Sequence, residues 1–216
     1  MGIFDRFSRV SRGRKIKLFF DQMKPSATDK VLDVGGQVET GNSSSLQLAD
    51  VFPYKNNISI VNISPEHIKL ISKVYPMMDA RVGDACNLPW PDNHFDIVYS
   101  NAVIEHVGNF EKQKKMASEI MRVAKRWFVT TPNRWYPFEF HLRLPFVTWL
   151  PFHGYLLAGR LIRYDHIARR YMVGCPKAHL RLMTAGELKK CFPNSQIVRQ
   201  RVTFMPETLI AIGKKL

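Results

Sequence analysis

The sequence predicts an α/β fold in which a mostly parallel sheet is covered by helices on both faces. Short apolar runs of strand type alternate with segments whose apolar residues recur at helical spacing, the pattern of strand–helix–strand units. The last two runs lie close enough together to pair antiparallel. The chain has 216 residues, the size of one domain, and 45% of them are hydrophobic. A core of that size folds without a disulfide or a structural metal.

The first 28 residues read as a basic amphipathic segment ahead of a domain spanning 29–216. Arginines and lysines are interleaved there with Ile3, Phe4, Phe7, Val10, Ile16, Leu18, Phe19 and Phe20. No apolar run of signal-peptide length follows, so the segment is expected to be retained. Gly2 is followed by Arg6 where a myristoylation motif has Ser or Thr. The first strand, Lys30 to Val34, ends in Gly35-Gly36, and the second, Ile58 to Ile63, ends in Ser64-Pro65-Glu66. Ser64 is a candidate N-cap and Pro65 suits the first helical position. Ile68, Leu70, Ile71 and Val74 then make an apolar helical face. Ala80 to Gly83 and Phe95 to Tyr99 are the third and fourth strands, and a helix is expected from Glu111 to Val123 on Met116, Ile120, Met121 and Val123. The fifth strand, Trp127 to Thr130, is stopped by Thr131-Pro132-Asn133.

Residues 134–179 lose the strand alternation. They are rich in aromatics, proline and arginine and are expected to form a helical, substrate-side insert. Order returns at Thr184-Ala185-Gly186-Glu187, a capping-box pattern, with Leu188, Cys191 and Phe192 continuing the helix. Ile197 to Phe204 and Thr208 to Ile212 are the closing strands.

Composition narrows the chemistry. Cys86, Cys175 and Cys191 are odd in number and widely spaced, which fits a reducing, cytoplasmic setting better than a disulfide framework. Glu139 and His141 share a strand-face spacing but no further ligand accompanies them, so no metal site is expected. The longest apolar stretch, Leu144 to Gly159, is interrupted by Pro145, Pro151, His153 and Gly154 and is too short to span a bilayer. The net charge of +14 biases the protein toward anionic partners: nucleic acid, an anionic membrane face or acidic substrates.

In an open parallel sheet, ligands bind beyond the carboxyl ends of the strands, where strand order reverses. Val31-Leu32-Asp33-Val34-Gly35-Gly36 ends at that edge, and its glycines let backbone approach a ligand. Neither GxGxxG nor GxxxxGK followed by Ser or Thr is present, which argues against NAD and ATP.

Together with Val61-Asn62-Ile63-Ser64-Pro65-Glu66, Gly83-Asp84-Ala85, Leu88 to Asp96 and Ser100-Asn101-Ala102-Val103-Ile104-Glu105-His106-Val107, that segment resembles the class I S-adenosylmethionine-dependent methyltransferases, in particular the group acting on small molecules and lipids. The resemblance covers residues 29–133 and, in outline, 180–213. It implies a Rossmann-like doubly wound sheet of seven strands with an antiparallel last strand, and S-adenosylmethionine as cofactor. It implies that Asp33 helps hold the methionine end, that Gly35 and Gly36 allow close passage of the backbone, and that Asn62, with Ile63 beside it, faces the ribose. Asp84 would accept from the adenine amino group next to Ala85, and Asn101 would lie near the methionine part. Glu105 and His106 stand where cyclopropane-forming relatives have an active-site Glu-His-Val, which makes them the catalytic candidates.

Two positions depart from the family. Asn62 replaces the usual second-strand acid, and Gln37 stands where a further glycine is usual. A carboxylate accepts from two ribose hydroxyls where an amide has one acceptor oxygen, so Asp at position 62 is expected to tighten binding. The same departures motivate an alternative, a degenerate methyltransferase fold serving as a binding or scaffold subunit.

The insert combines Trp135, Tyr136, Phe138, Phe140, Phe146, Trp149, Phe152, Tyr155, Leu156 and Leu157 with Arg134, Arg143, Arg160, Arg163, Arg169, Arg170 and Lys177. Cations beside tryptophans suit a membrane interface, with the basic N-terminal segment as a second contact on the inner face. A lipid-like acceptor is therefore expected. A nucleic-acid acceptor is disfavoured, because Ser100-Asn101-Ala102-Val103 is not the Asn/Asp-Pro-Pro-aromatic segment of base-amine methylation, and Cys175-Pro176 reverses the order used on pyrimidine carbons.

Overall fold

The computed structural model describes residues 3–38, 46–139, 144–151, 162–165, 170–173 and 180–215. Its main sheet has seven strands: β1 (Val31–Val34), β2 (Ile58–Asn62), β3 (Asp79–Val82), β4 (Phe95–Asn101), β5 (Ala124–Pro132), β10 (Gln196–Arg201) and β11 (Pro206–Lys214). Their order is β10-β11-β5-β4-β1-β2-β3. β1 to β5 pair in parallel, and β11 runs antiparallel to both β5 and β10. This is the expected architecture, including the antiparallel last strand. From β1 the chain winds first toward β3 and then, through β4, toward β5. The reversal opens a crevice at the carboxyl ends of β1 and β4.

Strand periodicity divides the core in two. Leu32, Val34, Val61, Val98, Trp127 and Val129 face α4 (Phe110–Val123) and α5 (Ala185–Cys191), meeting Met116, Ile120, Val123, Leu188 and Phe192. Val31, Ile58, Ile60, Ile97, Tyr99 and Phe128 face α1 (Ile3–Met23), α2 (Leu48–Val51) and α3 (Pro65–Val74). Both expected N-termini form by local chemistry. Ser64 accepts from the His67 amide at the start of α3, and Thr184 and Glu187 exchange bonds at the start of α5. Within α3 only Ile68 and Ile71 are buried; Val74 stays on the solvent side.

The N-terminal segment forms one continuous helix laid on the sheet. The Met23 carbonyl accepts from Arg126 at the start of β5, the Phe19 ring packs edge-on against Tyr99 and Phe128, and Ser11 donates to Glu207 at the far end. Glu207 lies beside the carboxyl end of β5, where its carbonyl accepts from Asn133. The helix thus runs antiparallel to β5 and carries its first turns to the ligand-binding edge.

In the insert, β6 (Phe138–Glu139) pairs with β7 (Leu144–Pro145), a 3-10 turn covers Val147–Trp149, and β8 (Ile162–Asp165) pairs with β9 (Arg170–Val173). These pairings are two to four residues long and carried no signal in the alternation of the sequence. The sequence predicts a helical insert over 134–179; its described elements are these short pairings and the turn, and the rest of it lies outside the described residues.

Candidate cofactor site

A cavity of about 540 Å³ opens at the carboxyl ends of β1, β2 and β4. That is the size of a cofactor pocket. Its walls include Val34, Gly35, Asn62, Ile63, Asp84, Ala85, Val103 and His106.

The turn after β1 is shaped by what glycine omits. Gly35 has φ of +80°, and a Cβ there would lie 2.3 Å from a Val103 methyl. At Gly36 a Cβ would lie 2.8 Å from Asp33 Oδ2 and from Ile60. Asp33 is 3% exposed. Among the described residues no group donates a hydrogen bond to it, and burial alone pushes its carboxyl up to about 7. A carboxylate buried without a donor next to a ligand cavity fits the α-ammonium of a bound amino-acid moiety.

Asn62 lines the cavity, but its amide is already engaged. Nδ2 donates to the Gly36 carbonyl at 2.9 Å, and Oδ1 accepts from the Ser64 amide at 2.9 Å. The side chain therefore pins the glycine turn to the start of α3, a task that requires a donor and an acceptor in one group. Asp at this position would set a carboxylate against the Gly36 carbonyl. We expect Asn62→Asp to weaken S-adenosylhomocysteine binding by about 3–10-fold in calorimetry, on the order of 1 kcal/mol. This reverses the expectation drawn from the ribose alone, and tighter binding would restore it.

Asp84 and Ala85 stand on the loop after β3. Asp84 is exposed and lines the cavity, and its Oδ1 accepts from the Cys86 amide at 2.8 Å. The loop is held from behind. Arg122 of α4 bonds the carbonyls of Leu88 and Trp90 and the carboxylates of Asp92 and Glu119, while Glu119 accepts from the Leu88 amide. Ile63, 74% exposed, offers an apolar edge to the wall.

After β4 the chain turns sharply. Ala102 adopts φ of +57°, an unusual value for a residue with a Cβ, and its amide donates to the Thr130 carbonyl. Asn101 lies just behind the wall, accepting from Thr130 Oγ1 at 2.8 Å. The next turn, Ile104–His106, sends the two catalytic candidates in opposite directions. His106 is exposed and lines the cavity. Glu105 is fully buried, with Oε2 accepting from Thr131 Oγ1 at 3.1 Å. The structure does not bring the pair together at the cavity.

Three wall residues escaped the sequence reading. Cys86 is buried, and its thiol is pushed up mainly by that burial. Lys112 and Lys115 reach the cavity from the first turns of α4, whose rotation is set by its apolar face. His141 and Cys175 lie outside the described residues.

Comparison with known proteins agrees with this geometry. Residues 32–127 match the family described as "Methyltransferase domain". Ajmaline N-methyltransferase of Rauvolfia serpentina is 36% identical over 70 residues, covering 30% of this chain and 23% of that protein. The 2-methyl-6-phytyl-1,4-hydroquinone methyltransferase of Synechocystis is 32% identical over 108 residues, covering 49% and 31%. The matched segments thus span less than a third of either relative's length. Among solved structures, a protein of Pyrococcus horikoshii superposes with a TM-score of 0.61 at 16% identity, covering 95% of this chain and 91% of that one. Magnesium protoporphyrin IX methyltransferase of Synechocystis, with bound SAH, gives 0.55 at 13% identity, covering 99% and 89%. The segment that matches the methyltransferase-domain family thus contains every residue of the cavity wall, and the fold around it is that of the S-adenosylmethionine-dependent methyltransferase structures.

Proposed function

We propose that the chain transfers a methyl group from S-adenosylmethionine to a small-molecule acceptor of lipid-like character, taken up at an anionic membrane face on the cytoplasmic side. When bound, the cofactor supplies a sulfonium methyl that passes to an acceptor nucleophile as the carbon–sulfur bond breaks. The work left to the protein is alignment and removal of the acceptor's proton. Asp33 holds the amino-acid end, the Gly35-Gly36 turn lets the backbone approach, and Asp84 receives the adenine amino group. His106, exposed at the cavity wall, is the residue placed to take the proton, while Glu105 anchors the turn that presents it.

The observation that carries the acceptor class is an exposed aromatic surface that follows the carboxyl end of β5. Trp135, Phe146, Trp149 and Phe204 are all exposed, Phe204 by 77%. Phe146 and Trp149 meet edge to face at 5.0 Å, Trp149 Nε1 donates to the Trp135 carbonyl, and Arg134 stacks over Trp135. Tyr136 OH and Thr203 Oγ1 share a hydrogen bond that ties this segment to the loop bearing Phe204. The group follows directly from the carboxyl end of β5, the edge at which the cavity opens. Exposed tryptophan and phenylalanine with an arginine stacked on one ring is the chemistry of a bilayer interface. The acceptor named for the Synechocystis relative carries a phytyl chain, which fits the same class. Among the described residues no helix is long and apolar enough to cross a membrane.

Vesicle co-sedimentation tests this. Wild-type protein should bind vesicles containing acidic phospholipid, and the combined Trp135→Ser, Phe146→Ser, Trp149→Ser and Phe204→Ser variant should lose about tenfold or more of that affinity, through lost apolar burial. Binding to S-adenosylhomocysteine should be retained. RNA retention on filters with no vesicle binding by wild type would replace the lipid reading with a nucleic-acid acceptor.

A further inference from the structure

One buried residue of α4 does not suit the stripe it stands in. That stripe runs through Gln113, Met116, Ala117, Ile120 and Val123 at helical spacing, and its first member is a polar amide with no exposed surface. Burying an amide among apolar neighbours is unfavourable unless its donors and its acceptor find partners. Those of Gln113 do. Nε2 donates to the Ile104 carbonyl at 3.1 Å and to the Arg181 carbonyl at 2.8 Å. Oε1 accepts from Arg181 Nη1 at 2.6 Å. Two carbonyls call for a donor and a guanidinium calls for an acceptor, so the amide fits in one orientation only. A carboxylate lacks the donor and an apolar side chain lacks both.

The partners show what the amide holds. Ile104 opens the three-residue turn Ile104–His106, whose own bond runs from the His106 amide to the Val103 carbonyl at 2.8 Å. Hydrogen-bond geometry in a 3-10 turn is poor, so ties from outside it matter. Gln113 supplies one at the Ile104 carbonyl, and the Arg181 amide supplies another at the Glu105 carbonyl, 2.8 Å away. Arg181 lies just past the insert, on the segment that enters α5. Its guanidinium also bonds Glu187, the capping-box residue of α5, and lies 5.0 Å from the centre of the Phe110 ring. Val103 and His106, on either side of the two held carbonyls, are walls of the cavity, and a Val103 methyl fills the space a Cβ on Gly35 would need.

We propose that Gln113 is a positioning residue for the cofactor site: from the packed face of α4 it clasps the 104–106 turn to Arg181, and so sets Val103 and His106 against the cavity. It does this without lining the cavity itself. The proposal rests on the cofactor cavity and is independent of the acceptor.

Two readouts test it: calorimetry of S-adenosylhomocysteine binding, and amide hydrogen exchange of the ligand-free protein followed by NMR. The variants are Gln113→Met, Gln113→Glu and Ile120→Ala. Methionine keeps the volume and loses every bond. Glutamate keeps the acceptor for Arg181 and loses the donor for the two carbonyls. Ile120→Ala opens a cavity further along the same stripe, so it lowers stability without touching the turn.

Gln113→Met should bind about 3–10-fold more weakly than wild type, per folded molecule. Its His106 and Arg181 amides should exchange about tenfold faster relative to the amides of β5, the mark of a local opening. Gln113→Glu should show both changes, because the ties to the turn need the donor. Ile120→Ala should lower the unfolding temperature while keeping wild-type affinity and the wild-type exchange ratio. Wild-type affinity in the Gln113 variants, an equal loss of affinity in Ile120→Ala, or an unchanged exchange ratio overturns the proposal. Should Gln113→Met fail to fold, Gln113→Glu decides it on the same readouts. A wild type that binds no S-adenosylhomocysteine overturns the cofactor reading instead, and the exchange ratio still decides whether Gln113 holds the turn.

Discussion

Asp33→Asn is expected to make the ligand-free protein more stable and the cofactor complex much weaker. Burial raises the Asp33 carboxyl from 3.8 in the unfolded chain to about 7 in the fold. For an acid shifted upward, the stabilising contribution of the protonated form is complete below the unfolded value. It is lost as pH rises toward the folded value. Above pH 7 the ligand-free protein therefore carries a buried carboxylate at a cost on the order of a few kcal/mol. The amide keeps the shape and removes the charge. At pH 8 the variant's unfolding temperature should rise by several degrees, and the gain should shrink as pH falls toward 4. Cofactor binding should move the other way. Losing a charge-assisted bond to the α-ammonium costs on the order of 1.5–3 kcal/mol, about 10–100-fold in affinity. In wild type the same linkage predicts that affinity declines as pH drops below 7, where Asp33 takes up a proton that binding must expel. Thermal unfolding and calorimetry from pH 5 to 8.5 measure both. A variant with unchanged affinity would leave Asp33 as a residue of the β1 turn alone.

Gly35→Ala should abolish cofactor binding at the concentrations where wild type saturates. The position needs φ of +80°, which costs an alanine about 1 kcal/mol. The added Cβ also falls 2.3 Å from Val103 Cγ2, so Val103 must move. Val103 is a wall of the cavity, so the strain is discharged where the cofactor lies. We expect a loss of about 100-fold or more, roughly 3 kcal/mol or above, with a lowered unfolding temperature. Gly35→Ala combined with Val103→Ala should recover part of the affinity, because the clash goes and only the backbone cost remains. Gly13→Ala is the control: no atom lies within 4 Å of the added Cβ. In the interior of α1 it should stabilise by about 0.5–1 kcal/mol. If Gly35→Ala binds normally, the turn is not the backbone approach to the ligand.

The pattern of legibility follows the range of the forces involved. Ser64-Pro65 and Thr184-Ala185-Gly186-Glu187 could be read as helix starts because capping links residues three apart in sequence. The β1 glycines could be read because a strand-to-helix turn is local. Glu105 and His106 were catalytic candidates together because they resemble an active-site Glu-His-Val. A 3-10 turn, invisible in the apolar periodicity, sends one inward to Thr131 and the other to the cavity. Asn62 looked like a weakened ribose ligand. The Gly36 carbonyl, 26 residues away in sequence, shows what an amide supplies there that a carboxylate does not.

By itself, then, the sequence determined the strand–helix alternation, the antiparallel closing pair, the edge at which the cavity opens and the resemblance to methyltransferases carried by the motifs along that edge. All of these rest on periodicity, capping and turn chemistry within a few residues. Tertiary structure alone decided the place of the N-terminal helix. Its apolar residues form no clear stripe, so composition pointed only to charge and aromatics. Packing then buried Phe19 and Met23 on the sheet and set Ser11 against Glu207. The same holds for Lys112 and Lys115 at the cavity and for the loneliness of Asp33 among the described residues. Each depends on which distant segments meet, and that is settled by burying both faces of the sheet at once, a condition that no local stretch of sequence expresses.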